Sequence, residues 1–259
     1  MTISLVDGDI VAFRVAAASE DSDLDIACLR ADKLMQDIVY LTEADSYKCI
    51  LTGRNNFRKT LYPEYKANRK DKPKPKWLQD IRTFLQENWT AEVSDGCEAD
   101  DLLGVYQTPD SCICSIDKDL LQIPGRHYNW VKAEFYDQTL VGGLRHFYFQ
   151  LLQGDRGDNI PGIQGIGPKK AERFLEGITD EKEMFDTCLE LYKGDLPTMI
   201  RNGQLLWIWR ELGGIWNPTH LTGQDHLKQE PEVKSDSTKQ KEEESIQSTE
   251  LTDMEIFGM

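Results

Sequence analysis

The chain has 259 residues, with 30 Lys and Arg against 45 Asp and Glu, a formal net charge of −15 and an isoelectric point near 4.7. That balance repels phosphate and excludes a histone-like architectural protein or a polybasic membrane-surface protein. The acid is unevenly spread, because residues 221–259 hold ten acids and four lysines, a net −6 that leaves −9 on the body.

The N-terminal MTISLVDGDIVAF lacks the basic start and apolar run of a signal peptide. No stretch approaches the roughly 18–20 apolar residues of a membrane helix. Six cysteines, without a C-x-x-C pair, read as buried free thiols in a reducing cytoplasm.

Ile3–Val6 reads as a short buried strand that ends at Asp7-Gly8-Asp9. Leu24–Leu41 has helical spacing, and Tyr47–Leu51 is a second apolar strand. Arg54–Lys76 is basic and Pro-rich with no core face. It holds nine basic residues and two acids, with Tyr62 and Tyr65 interleaved as suits stacking on an unpaired base. Trp77–Trp89 returns to helical spacing. Residues 98–106 read as a helix, Cys112–Ile116 as a strand and 126–136 as a β-hairpin. Strands alternating with helices imply an α/β fold with a mostly parallel sheet. From Leu144 the signals are helical, and Leu196–Leu212 is the last amphipathic helix. From about 222 the Glu, Ser, Lys and Gln-rich composition reads as disordered.

Parallel sheets present ligands at the carboxyl ends of their strands. Asp7 follows the first strand, and Asp117 and Asp119 follow Cys112–Ile116. Glu98, Asp100 and Asp101 open a helix, and Asp155 and Asp158 flank a loop. Taken singly, these acids read as helix starts and turns. Eight converging acids would repel one another unless divalent cations lay between them. Oxygen ligands without His or Cys indicate Mg²⁺ or Mn²⁺. Two such ions a few Å apart suit phosphodiester hydrolysis. Between two helices, Gly162, Gly165 and Gly167 form a tight loop, with Pro168 at a helix start. Its backbone N–H groups suit a phosphate, with Lys169 and Lys170 beside them.

These motifs, in order, resemble the 5′-nuclease family of flap endonucleases and 5′→3′ exonucleases. They are LVDGDIVAFR (5–14), NFRKTLYPEYKANR (56–69), GCEADDLLG (96–104), SIDKDLLQ (115–122) and LLQGDRGDNIPGIQGIGPKKA (151–171). The resemblance extends to bacteriophage 5′→3′ exonucleases and the 5′-nuclease domain of bacterial DNA polymerase I. The resemblance covers about residues 3–176 and leaves the tail without a counterpart. It implies a PIN-like mostly parallel sheet with flanking helices, a helical arch over 70–90 within a basic region 54–90, and a C-terminal helix-hairpin-helix (H3TH) subdomain. The implied domains are a nuclease core at 1–140, a duplex-binding subdomain at 141–220 and the acidic tail at 221–259.

The resemblance also implies roles. Asp7, Glu98 and Asp100 would hold a first metal, and Asp117, Asp119 and Asp158 a second, with Asp101 and Asp155 bridging or acting through water. Lys66 and Arg69 would touch the scissile phosphate. Arg58, Tyr65, Gly162, Gly165, Gly167, Lys169 and Lys170 would contact DNA, with K⁺ at the glycine loop. One departure stands out: a further first-metal Asp found in many members falls here at Leu51 or Thr52, and Asp9 is the candidate replacement.

The expected activity is metal-dependent hydrolysis of phosphodiesters at 5′ ends of duplex or flapped DNA, or of RNA in hybrids, by a cytoplasmic monomer. The acidic tail would dock on a replication protein or compete with DNA for the protein's own groove. Two other readings remain: a single-strand endoribonuclease on the same scaffold, and a non-catalytic DNA-binding scaffold.

Overall fold

The strands alternate their side chains between two apolar faces, so both sides of the sheet need cover. A computed structural model describes residues 2–222. Its main sheet contains β1 (Ile3–Asp7), β2 (Ser46–Leu51), β3 (Glu92–Val93), β4 (Ser111–Cys114), β5 (Gly125–Asn129) and β6 (Glu134–Gln138). The spatial order is β3-β2-β1-β4-β5-β6. Neighbours pair in parallel except β5 and β6, which form the expected hairpin. The chain winds from β1 toward β2 on one side and returns to β4 on the other. The carboxyl ends of β1 and β4 therefore flank the point where strand order reverses, where open sheets hold their ligands.

One face is covered by α1 (Gly8–Ala17), α2 (Leu24–Leu41) and, beyond the short α3 (Phe57–Leu61), by α4 (Leu78–Asn88). Val11, Ala31, Met35, Ile81 and Leu85 pack there with Val6, Cys49 and Cys114. On the other face α5 (Ala99–Tyr106) brings Leu102 and Leu103 onto Leu5, Ile50 and Ile113. A third core joins α6 (Leu140–Gln153), α7 (Pro168–Leu175), α8 (Glu181–Leu191) and α9 (Leu196–Leu206) around Phe147, Tyr148, Phe185 and Trp216. Residues up to Leu221 form one unit, in which architecture changes from sheet to helices at α6.

Three expectations are corrected. The segment expected as a helical arch, 70–90, is helical only over α4, which packs on α1 and α2, while Lys70–Lys74 is exposed irregular chain. The basic segment does have a core face, since Arg58 and Tyr65 are buried. The last amphipathic helix stops at Leu206, not Leu212, because Trp207–Trp209 runs extended between the cores. The tail expectations lie outside the described residues.

What holds that extended run is a buried ion pair. The Arg58 guanidinium makes two hydrogen bonds to Asp101, of 2.6 and 2.8 Å. Its other N–H groups donate to the Leu205 and Trp207 carbonyls at 2.8 and 2.7 Å. Asp101 also accepts from the backbone N–H of Glu98 at 3.0 Å and of Trp209 at 3.2 Å. Gly104 permits the close approach, because a Cβ there would lie 2.2 Å from the Trp209 carbonyl oxygen. The two side chains are 3% and 0% exposed, so neither charge has water as an alternative partner. Arg58→Met should therefore cost about 3–5 kcal/mol in urea unfolding, the penalty for stranding a buried charge. Arg69→Met, in an exposed side chain, should cost under about 1 kcal/mol.

Candidate active site

Asp7 ends β1 and caps α1, where its Oδ1 accepts from the Ile10 N–H at 3.1 Å. Its Oδ2 accepts from the Ser115 hydroxyl at 2.7 Å, just past β4. The Ser115 Oγ in turn accepts from the Asp117 N–H at 3.0 Å, and Asp117 Oδ1 accepts from the Asp119 N–H at 2.9 Å. Gln150 on α6 donates to Asp119 at 2.7 Å and is itself held by Gln122 at 2.7 Å. Thus β1, β4 and α6 position Asp7, Asp117 and Asp119 at the switch point.

The first turn of α5 brings Glu98 and Asp100. Glu98 Oε1 accepts from Lys66 Nζ at 2.5 Å and from Asn56 Nδ2 at 2.9 Å. Asp158 pairs with Arg69 and lies 3.4 Å from Lys66 Nζ. The Tyr65 hydroxyl sits 2.9 Å from both Glu98 Oε2 and Asp158 Oδ2, with one proton to share between them. Asp155 turns its loop by accepting from the Gly157 N–H at 2.6 Å.

The basic and acidic loops are joined along their backbones. Lys66 N–H donates to the Asp158 carbonyl at 2.9 Å, Asn159 Nδ2 to the Glu64 carbonyl at 2.8 Å, and Arg69 Nε to the Gly157 carbonyl at 2.8 Å. Lys66 and Asn159 both adopt positive φ, 56° and 61°, a conformation uncommon for residues with a side chain.

The electrostatics divide the acids into two groups. Burial would raise the Glu98 carboxyl, but Lys66 and Arg58 outweigh it and hold the group below its usual range. Asp7, Asp100 and Asp119 form no ion pair among the described residues. Burial, aided by Asp9 and Asp117 against the Ser115 hydrogen bond, pushes Asp7 up to about 7. Burial and the nearby Asp117, Asp155 and Asp158 do the same for Asp119, also to about 7. Asp100 is raised well above the carboxylate range by burial and by Asp7, Asp117 and Glu98. Clustered carboxylates with too little counter-charge are a donor set for hard divalent cations, so these residues fit such ions. Among the described residues, no three such side chains are already gathered as the ligands of one ion. Lys66 and Arg69 occupy the space beside Glu98 and Asp158 instead.

The structure redistributes several sequence-predicted roles. Asp101 and Arg58 are withdrawn from metal and DNA respectively, because each is the other's buried partner. Tyr65 is buried and hydrogen-bonded to carboxylates, so it cannot stack on a base. Gly162 packs against the end of α6, where a Cβ would lie 2.1 Å from the Gln153 carbonyl oxygen; its need for glycine is packing. Gly165, Gly167, Lys169 and Lys170 are exposed on the loop and first turn of α7. Ile163 and Ile166 anchor that loop on the helical core. Asp9 does not stand free to replace a ligand, since one oxygen pairs with Arg82 and the other accepts from the Thr52 N–H at 2.9 Å. Sequence reasoning missed Ser115, Gln150, Asn56 and Arg82. Gln150 alone carried a signal, as a polar residue within the apolar run HFYFQLL.

Beside the acids lies a groove of about 870 Å³ bordered by Lys59, Lys66, Arg69, Lys70, Lys74 and Arg82. It places cations along one side of the carboxylate cluster.

A pH dependence follows. A carboxyl raised in the folded state binds a proton that the unfolded chain has already released. Stability is therefore lost as pH rises from about 4 toward 7. In EDTA, the unfolding midpoint should fall between about pH 4 and pH 7, and Asp7→Asn should flatten that slope.

Residues 2–143 match the family model for the 5′-3′ exonuclease, N-terminal resolvase-like domain. A protein named flap endonuclease Xni from Shewanella piezotolerans is 33% identical over 140 residues, which are 47% of this chain and 54% of that protein. The chain thus spans about half the length of that relative. The protein of the same name from Shewanella frigidimarina is 30% identical over 213 residues, 73% of this chain and 79% of that one. Among solved structures, T5 5′-exonuclease with bound zinc overlays with a TM-score of 0.65 at 17% identity, covering 80% of this chain and 89% of that one. The TM-score confirms the mostly parallel sheet with flanking helices. The sequence matches carry the rest: this chain belongs to the 5′-3′ exonuclease family.

Proposed function

We propose that the chain hydrolyses phosphodiester bonds at the 5′ ends of duplex or flapped DNA, using divalent metal ions. The observation that carries this reading is the hydrogen-bonded run Asp7–Ser115–Asp117–Asp119 at the switch point, where these acids form no ion pair among the described residues, with Lys66 and Arg69 on Glu98 and Asp158 close by. Mg²⁺ or Mn²⁺ is the fitting class, with two ions held by Asp7, Glu98 and Asp100 and by Asp117, Asp119 and Asp158. Asp155 orders the second loop. Bound there, the ions supply an activated water and offset charge on the reacting phosphate.

The chain's own residues do the positioning. Lys66 and Arg69 place fixed positive charge where the phosphate gains negative charge, in a site walled by protein. The groove under Lys70–Lys76 accepts the single-stranded 5′ end. The exposed loop at Gly165 and Gly167, with Lys169 and Lys170, meets duplex backbone without reading bases. A K⁺ at that loop, action on RNA–DNA hybrids, a monomeric state and a cytoplasmic setting belong to the same reading. Its support is the exposed glycine loop and the six free cysteines. A replication partner for the acidic tail also belongs to it.

The test is a digest of 5′-labelled flapped duplex, blunt duplex and single-stranded RNA, with and without EDTA. Cleavage of the DNA duplexes should vanish with EDTA. Preferred cleavage of single-stranded RNA would favour the endoribonuclease reading, and absence of cleavage the scaffold reading. Asp117→Asn should abolish cleavage while DNA affinity persists. Lys66→Ala should lower turnover about 10²–10³-fold, as for loss of a charge-stabilising donor, with a smaller effect on binding.

A further inference from the structure

One charged network touches the acidic cluster without belonging to it. Arg82, on α4, pairs with Asp9, on the first turn of α1. Both side chains grip the same backbone unit. Asp9 Oδ2 accepts from the Thr52 N–H at 2.9 Å, and Arg82 Nη2 donates to the Thr52 carbonyl at 2.6 Å. Thr52 is thus held from both ends of its own backbone. Its hydroxyl oxygen then accepts from the Ala99 N–H at 2.9 Å. Ala99 is the first residue of α5, between Glu98 and Asp100.

We propose that Asp9, Arg82 and Thr52 form a positioning relay that sets the first turn of α5, and with it Glu98 and Asp100. Three arguments support it. A helix start leaves N–H groups unpaired, so a fixed acceptor for Ala99 decides how that turn sits. Thr52 lies just past β2 between Leu51 and Gly53, which Ser94 holds, while Asp9 and Arg82 take up its own N–H and carbonyl. Asp9 and Arg82 are 30% and 19% exposed and line the same groove as Lys66 and Glu98. Burial alone would not require an ion pair there. α4 also follows directly on the Lys70–Lys76 strap, so the relay ties the groove wall to the carboxylates.

This inference rests on the proposed nuclease reading for its catalytic meaning, but its structural half is measurable without metal. The experiment compares wild type with Arg82→Leu, Thr52→Val, Thr52→Ser and the Arg82→Leu/Thr52→Val double variant. Hydrogen exchange in EDTA should be about tenfold faster at the Ala99 amide in Arg82→Leu and in Thr52→Val, as for loss of one hydrogen bond. Exchange in β1 and β4 should stay as in wild type. The Mg²⁺ concentration for half-maximal cleavage of a flapped duplex should rise about 10–100-fold, the usual effect of freeing a ligand's support. Thr52→Ser, which keeps the hydroxyl, should match wild type in both readouts, and the double variant should be no worse than Arg82→Leu or Thr52→Val alone. Unaltered exchange at Ala99 would overturn the relay, as would faster exchange with an unaltered Mg²⁺ requirement. A wild type without metal-dependent cleavage would instead refute the nuclease reading, and the exchange arm would still decide the relay.

Discussion

The buried Arg58–Asp101 pair is the constraint on which the arrangement depends. It joins three stretches of chain that local structure alone would leave apart: α3, the first turn of α5 and the extended run after α9. Two charges in a dry interior repay their desolvation only when every remaining hydrogen-bonding atom is also used. Here the guanidinium reaches two carboxylate oxygens and two carbonyls, and the carboxylate also accepts from two backbone N–H groups. Because Asp101 accepts from the Glu98 N–H, the same pair fixes the turn that carries the Glu98 and Asp100 side chains. Fold and site thereby share this contact.

The other acids are arranged in the opposite manner. Asp7, Asp100 and Asp119 are packed near one another with hydrogen-bond donors that orient them but with too little positive charge to neutralise them. Ser115 and Gln150 fix the direction of two of these carboxylates while leaving their charge unmet. Folding such a cluster costs stability, and it is natural only where bound cations recover the cost. Lys66 and Arg69 satisfy Glu98 and Asp158 alone, from a loop whose backbone is bonded to the acidic loop. The overall charge of −15 therefore says little about the partner. The distribution says more, with acids at the switch point and cations along the groove.

Much of this was legible in the sequence because it is local. Asp7 and Asp117 each follow a short apolar strand, and a parallel sheet brings such strand ends together. The hairpin and the helix over Leu24–Leu41 were visible in turn and periodicity signals. What was not legible depends on distant chain. Arg58 looks like any other base in a basic run, and its burial requires carbonyls 147 and 149 residues away. Tyr65 sits in a polar stretch, and only the folded loops show it between two carboxylates. The periodic pattern runs on to Leu212, but the helix ends at Leu206 because the Trp207 carbonyl and the Trp209 N–H bond to the Arg58–Asp101 pair. Asp9 and Arg82 are 73 residues apart, and no spacing rule joins them.

The central claim is that the clustered carboxylates form a divalent-cation site whose affinity for protons is raised until the ion arrives. Calorimetric titration of Mn²⁺ into the EDTA-stripped protein near pH 7, in two buffers of different ionisation enthalpy, tests it directly. The account predicts saturable binding, with heats that differ between buffers because protons leave Asp7, Asp100 and Asp119 as the metal enters. Absence of binding at millimolar Mn²⁺, or binding with no proton release, would contradict it.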